Sequence, residues 1–197
     1  MKLLYFHGFG SSGATGTAQS LRRELPGVEV VSPDIPLDPA EALPYLKELC
    51  LQEEPDLIVG TSMGGMYAQQ MTGYKRLIIN PAFWMSRISK VLKPGTFTYS
   101  HKRRDKQMQG RVTKEIIARF REMEAHQFES VTEENLLSCW GLFARHDTTV
   151  GKGWETFTEH YPEEQAAWFE GEHTVGDTII KKVVVPKILE IVAAQKE

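Results

Sequence analysis

Residues 55–64 run Pro-Asp-Leu-Ile-Val-Gly-Thr-Ser-Met-Gly. Leu57, Ile58 and Val59 form a short apolar run behind a Pro-Asp turn signal and read as a buried strand. Gly60 to Gly64 then has the spacing G-x-S-x-G, Gly65 adds another small residue, and Gly64 to Met71 can open a helix. A serine on a tight strand-to-helix turn is forced into a strained backbone conformation. Glycines on either side let strand and helix approach closely, so the hydroxyl stands clear of the sheet. The spacing alone arises by chance in Gly/Ser-rich turns. With a strand before it and a helix after it, Ser62 reads as a nucleophile.

The 197 residues suffice for one well-buried domain, and 41% hydrophobic with 25% charged residues is ordinary for a globular protein. A formal net charge of −3 makes neither nucleic acid nor an anionic membrane an expected partner. Cys50 and Cys139 form no disulfide framework and are expected as reduced core thiols. No run approaches the ~20 apolar residues of a membrane span. One lysine precedes a strand that runs straight into His7-Gly8, with no leader pattern, so a cytoplasmic location is expected.

Strand and helix signals alternate along most of the chain. Lys2 to Phe6 is a first strand, followed by a glycine-rich loop and a helix to about Leu25 capped by Thr15 or Thr17. Val28 to Val31 is a second strand, Pro39 to Leu51 a helix, the Leu57 run a third strand, and Lys75 to Ile79 a fourth. Leu137 to Ala144 and Gln165 to Phe169 complete six strands, with a helix near Lys152 to His160 between them. A last helix spans roughly Thr178 to Ala194, with Pro186 as a kink or break. Alternation of this kind indicates a mainly parallel sheet covered by helices on both faces, an α/β three-layer sandwich.

Residues 85–127 interrupt the rhythm. They hold eleven Lys or Arg against four Asp or Glu, formally +7 in a chain of −3. Val112 to Met123 looks helical and Lys93 to Gln109 has no clear period, so the stretch reads as a basic insertion within one domain covering 1–197.

A serine hydroxyl needs a base to take its proton and a third group to orient that base. In parallel sheets such groups gather at the carboxyl ends of strands. Of the six histidines, His173 directly follows the last strand, in a loop with Gly171, Thr174 and Gly176. His146 shares a strand end with Asp147, and Asp147 is the better candidate to point inward. His126 and His160 sit on helices, His101 lies in the insertion, and His7 is placed to order the loop it precedes. Asp147 is the expected orienting acid; Asp177 is an alternative that reads better as a helix cap. The order Ser62, Asp147, His173 is nucleophile, acid, base. Oxyanion donors are expected from the backbone N–H of Met63 and from that of Phe9 in the His7-Gly8-Phe9-Gly10 turn.

A rival motif overlaps that turn. Gly8 to Gly13 matches G-x-G-x-x-G between a strand and a helix, with Asp34 placed 21 residues beyond Gly13 as a ribose-binding acid would be. A dinucleotide-binding oxidoreductase is therefore a competing reading, although it leaves Ser62, Asp147 and His173 without a role. A non-catalytic binding protein on the same fold is the other.

With these residues placed, the chain resembles the α/β-hydrolase superfamily, and more narrowly the small bacterial YqiA/YcfP-like esterases. The resemblance lies in Leu4-Tyr5-Phe6-His7-Gly8-Phe9-Gly10-Ser11-Ser12, the elbow Gly60 to Gly65, Asn80-Pro81-Ala82, and Asp147 with His173. It implies a six-stranded sheet of order 2-1-3-4-5-6 and a metal-free, cofactor-free esterase or thioesterase acting on a small-molecule acyl ester. The insertion is longer and more basic than that branch suggests, and it falls where hydrolases of this fold place a lid. Phe83, Trp84 and Met85 at its start are candidates to line an acyl pocket. Lys102-Arg103-Arg104 is either a solvated basic face or an attractor for an anionic part of the substrate.

Overall fold

The computed structural model describes residues 1–193. Six parallel strands form its main sheet: β1 (Lys2–Phe6), β2 (Glu29–Val31), β3 (Leu57–Thr61), β4 (Arg76–Ile79), β7 (Cys139–Ala144) and β8 (Ala166–Phe169), in spatial order β2-β1-β3-β4-β7-β8. Numbered within this sheet alone, that is the expected 2-1-3-4-5-6. The intervening β5 (Gly95–Thr98) and β6 (Gln109–Val112) belong to the insertion, where they pair as a separate antiparallel hairpin. The expectation of a helical insertion without a pattern before Gln109 is thus corrected. Thr96, Phe97 and Thr98 are β-formers, but only Phe97 is partly buried there, so the run carries no alternating apolar signal. Val112 ends a strand rather than starting a helix.

Helices α1 (Gly16–Glu24), α2 (Pro39–Glu53), α3 (Met63–Gln69), α4 (Lys114–His126) and α5 (Gly153–Thr158) precede a terminal segment. That segment opens as α6 (Asp177–Ile179), passes through a π-turn over Ile180–Val184, and closes as α7 (Val185–Ala193). The expected break at Pro186 is replaced by this π-turn just ahead of it, where i→i+5 bonding accommodates a residue with no N–H to give. The expected end at Ala194 lies outside the described residues. The first-turn position of α6 is Asp177, with Gly176 as its cap; the Asp177 carboxylate instead accepts from Ser20 and pairs with Arg23 at 3.1 Å.

Side chains alternate across a strand, and the two faces of the sheet make two cores. Leu4, Phe6, Ile58 and Ile78 meet Leu46 of α2, Met66 of α3, Phe120 of α4 and Phe157 of α5. Leu3, Tyr5, Leu57, Val59 and Leu77 meet Leu21 of α1 and Ile188 of α7. One buried cation is integral to the frame. Arg76 in β4 is fully buried and donates to the carbonyls of Gln69 (2.9 Å), Asn135 (2.9 Å) and Ser138 (3.4 Å), tying the end of α3 to the segment that enters β7.

The closest approach in the fold is at the β3–α3 turn. A Cβ on Gly64 would lie 2.0 Å from the Phe6 carbonyl oxygen, and one on Gly60 would lie 2.3 Å from the Gly64 carbonyl oxygen. Both obstacles are backbone, so neither can swing aside. Gly64→Ala is therefore expected to lower unfolding stability by about 1–3 kcal/mol or more in urea titrations. Gly16→Ala, in a helix with nothing within 4 Å of the added methyl, should be neutral or mildly stabilising in the same assay.

Candidate active site

Ser62 sits between β3 and α3 with φ 55° and ψ −121°, a conformation L-residues rarely adopt. Four backbone hydrogen bonds hold it there. Its N–H donates to Ile79 O (3.0 Å), and its carbonyl accepts from Gly65 (2.9 Å), Met66 (3.1 Å) and Ala82 (3.0 Å). The turn projects the hydroxyl at the carboxyl edge of the sheet, beside the loop after β1, where Gly8 approaches the Ser62 side chain.

Two long-range partners meet it. His173 Nε2 lies 2.9 Å from Ser62 Oγ, and His173 Nδ1 lies 2.7 Å from Asp147 Oδ2. The other Asp147 oxygen accepts from the N–H groups of Thr149 (2.7 Å) and Val150 (3.2 Å). Burial works against the Asp147 charge, but the hydrogen bonds from His173 and from these two N–H groups outweigh it, so the carboxyl is held below the usual carboxylate range. The neighbouring His146 turns outward to Glu170, at 3.2 Å. Met63, the first residue of α3, has an N–H with no helical carbonyl ahead of it, and Phe9 lies in the loop beside Ser62.

Asn80, outside the expected site residues, holds the two loops together. It ends β4 with φ 44°, a left-handed value that Asn tolerates. Its amide donates to the carbonyls of Glu172 (3.2 Å) and His173 (3.0 Å), while its Oδ1 accepts from Ala144 N–H (2.7 Å). One buried side chain thereby couples the strand end before Asp147 to the loop carrying His173. The signal available in the sequence was a polar residue, followed by proline, directly at the end of an apolar strand.

His7 is 1% exposed. Its Nδ1 meets the Gly8 carbonyl at 2.8 Å and its Nε2 accepts from Ile35 N–H at 3.1 Å, so the ring pins the loop after β1 to the chain beyond β2. Burial, opposed by the Gly8 carbonyl, pushes its pKa down to about 4 and keeps the ring neutral. Asp34 fastens the same loop, accepting from Gly13 N–H (2.7 Å) and Arg104 N–H. Both carboxylate oxygens thus serve loop closure rather than standing open toward a ribose. Among the described residues no group of three or more His, Cys, Asp or Glu is placed to hold a metal ion, and no helix is long and apolar enough to cross a membrane.

A cavity of about 330 Å³ opens in front of Ser62 and His173. Of the three residues expected to line it, only Met85 does. Phe83 is turned into the core against Phe128, with ring centroids 5.3 Å apart. Trp84 packs under Arg87, and its indole N–H donates to Thr156 Oγ1 at 3.3 Å. Of the 3₁₀ turn Met85–Arg87, only the first residue, Met85, faces the cavity. Arg103 likewise is neither a solvated nor a substrate-facing charge. It is 6% exposed, pairs with Asp105 at 2.9 Å, donates to Ile35 O and lies over Tyr99.

Sheet order, elbow and loop placement together define an α/β-hydrolase fold. Solved structures bear the likeness out. The esterase domain of a Rhodothermus marinus protein aligns over 97% of this chain and 87% of its own at a TM-score of 0.67 and 16% identity. Est1E from Butyrivibrio proteoclasticus aligns over 98% and 88% at 0.67 and 13% identity. A putative hydrolase of the alpha/beta superfamily from Xanthomonas campestris pv. campestris aligns over 98% and 97% at 0.60 and 13% identity. At these identities the likeness is one of fold. Residues 2–183 match the family described as Uncharacterised protein family (UPF0227), and the chain belongs to it. It is the YqiA/YcfP-like family that the sequence motifs resemble.

The buried neutral His7 has a thermodynamic consequence. Its folded pKa lies below its unfolded value of roughly 6.5, so between the two the unfolded chain binds the extra proton. Stability must fall as pH drops from about 6.5 toward 4, with a slope from this group of up to about 1.4 kcal/mol per pH unit. Denaturation of wild type and His7→Gln across that range is expected to show a shallower acid dependence in the variant. Parallel curves would mean that His7 does not titrate as a buried neutral ring.

Proposed function

We propose that the protein is a serine hydrolase that cleaves a small carboxylic ester or thioester through an acyl-enzyme on Ser62. The observation that carries this reading is the unbroken relay from Asp147 Oδ2 through His173 to Ser62 Oγ, at 2.7 and 2.9 Å. A binding protein that had lost catalysis has no need to keep three side chains from three distant segments in hydrogen-bonding order. Ser62, Asp147 and His173 occupy the strand ends at which nucleophile, acid and base act in this fold.

The chemistry follows from that order. Ser62 Oγ attacks the carbonyl carbon as His173 Nε2 takes its proton, and Asp147 orients the ring and stabilises its charged form. The backbone N–H groups of Met63 and Phe9 donate to the oxygen that gains negative charge. His173 returns the proton to the departing alcohol or thiol. A water deprotonated by the same ring then releases the acid and restores Ser62. The likeness in fold to an esterase domain supports the reaction class. The insertion over 85–127 works within the same domain, supplying one side of the site.

Intact mass spectrometry after exposure to a fluorophosphonate should show one adduct on the wild type and none on Ser62→Ala. No adduct on folded wild-type protein would sink the reading. Asp147→Asn should slow labelling by about 10²–10⁴-fold, since the imidazole loses its orienting charge. Asn80→Asp, isosteric but unable to donate to the Glu172 and His173 carbonyls, should slow labelling by about 10–100-fold through misplacement of His173. An unchanged rate in that variant would remove Asn80 from the positioning of the base.

A further inference from the structure

The cavity before Ser62 has two kinds of lining. The insertion contributes Met85, Ile88 and Val91, an apolar surface large enough for a short acyl chain. The loop after β1 and the end of the hairpin contribute Ser11, Ser100 and His101, while Thr17 and Thr61 lie beside Tyr5, whose hydroxyl is 2.7 Å from Thr61 Oγ1. Charge is missing. Among the described residues that line the cavity there is no Lys, Arg, Asp or Glu. The basic cluster of the insertion does not supply any, because Arg103 is spent on Asp105 and Lys102 and Arg104 line other hollows.

His101 is the built feature of this lining. Its Nδ1 lies 2.9 Å from Ser100 Oγ and 3.3 Å from Ser11 Oγ, and Ser100 is itself anchored through its N–H to Gly10 O at 2.8 Å. Nε2 is the ring nitrogen with no protein partner among the described residues. A charged substrate entering here would lose its hydration without gaining a counter-charge. A purely alkyl ester would desolvate the hydroxyls and the free imidazole nitrogen without replacing their hydrogen bonds. Neither loss falls on a neutral molecule that brings its own hydroxyl groups.

We propose that the site selects acyl esters of small, uncharged alcohols carrying further hydroxyl groups, held by His101 Nε2 and Ser11 Oγ, with a short acyl chain against Met85, Ile88 and Val91. The proposal rests on the reading of Ser62 as nucleophile. The reaction needs no further reactant: the ester C–O bond breaks as the Ser62–acyl bond forms, the serine proton leaves with the alcohol, and water releases the acid. A cavity of about 330 Å³ is at the small end of ligand sites, which suits a compact polyol ester.

The test holds the acyl group constant. Release of acetic acid would be followed at constant pH from glyceryl monoacetate, n-butyl acetate, acetylcholine and O-acetyl-lactate, with fluorophosphonate labelling of Ser62 in parallel. The expected kcat/KM for the glyceryl ester exceeds that for each of the others by about tenfold or more, the worth of one or two hydrogen bonds. In His101→Phe/Ser11→Ala the ratio of glyceryl to butyl ester should fall to near one, and a folding defect shared by both substrates would not move that ratio. An equal or better rate on butyl acetate, or a preference for either charged ester, overturns the proposal. If Ser62 is still labelled in that case, the selectivity has failed and the hydrolase reading stands. If Ser62 is not labelled, both fall.

Discussion

The structure depends on one backbone constraint, the left-handed turn at Ser62. Holding a non-glycine residue at φ 55° costs of order 1–3 kcal/mol and persists only where the surroundings over-determine it. Four hydrogen bonds from β4, α3 and the strand-end loop do so here. They require α3 to lie almost in van der Waals collapse against β1 and β3, which only glycine at 60 and 64 permits. The strand order places β3 between β1 and β4, so that turn is flanked on both sides. Stability and chemistry therefore meet in the same few residues: the turn that strains the backbone is the one that lifts the hydroxyl off the sheet.

Much of the main sheet was legible in the sequence because its signals are short-range. Parallel strands buried on both faces read as continuous apolar runs, and Leu57 to Val59, Leu77 to Ile79 and Leu142 to Ala144 are such runs. The insertion was not legible for the complementary reason. Thr96, Thr98, Gln109 and Arg111 of its hairpin are outward, and the inward face holds only Phe97, Gly110 and Val112, too few apolar side chains to read as an alternating pattern. Its order comes from tertiary contacts: Phe97 packs at a tilt against Phe9 with ring centroids 4.8 Å apart, and Arg103 donates to Ile35 O. A basic run that scans as solvated surface turned out to contain a buried, fully engaged guanidinium.

The candidate site divides along the same line. That Ser62, Asp147 and His173 come into hydrogen-bonding contact was legible because each follows a readable strand, and the carboxyl ends of parallel strands converge. Asn80 also follows one, but its role is to satisfy two loop carbonyls and one strand N–H, and hydrogen bonding to backbone leaves no composition signal. Phe83 and Trp84 failed as pocket residues because aromatic identity indicates burial without indicating which cavity is filled. The G-x-G-x-x-G pattern was a true sign of close backbone approach with a different cause: a Cβ on Gly13 would meet Ser32 O at 2.3 Å, while Asp34 binds the Gly13 N–H.

That loop and the insertion are best understood together. Ser100 N–H and hydroxyl both donate to Gly10 O, Ser12 Oγ donates to the Lys102 carbonyl, and Asp34 accepts from Arg104 N–H. From the other side His7 pins the same loop to Ile35. The loop after β1 is thus fastened at several points along its length, and the insertion supplies partners at Gly10, Ser11 and Ser12. A glycine-rich loop is entropically costly to hold still, and under the proposed reaction it would have to aim the Phe9 N–H at the developing oxyanion, where donor placement matters. Closing the hairpin over it supplies that order and, through His101 and Met85, also supplies part of the wall the substrate would meet. In this chain the segment that stands where a lid would be is built as a strap: it shapes the pocket and fixes the loop after β1 in the same set of contacts, so a change in one is a change in both.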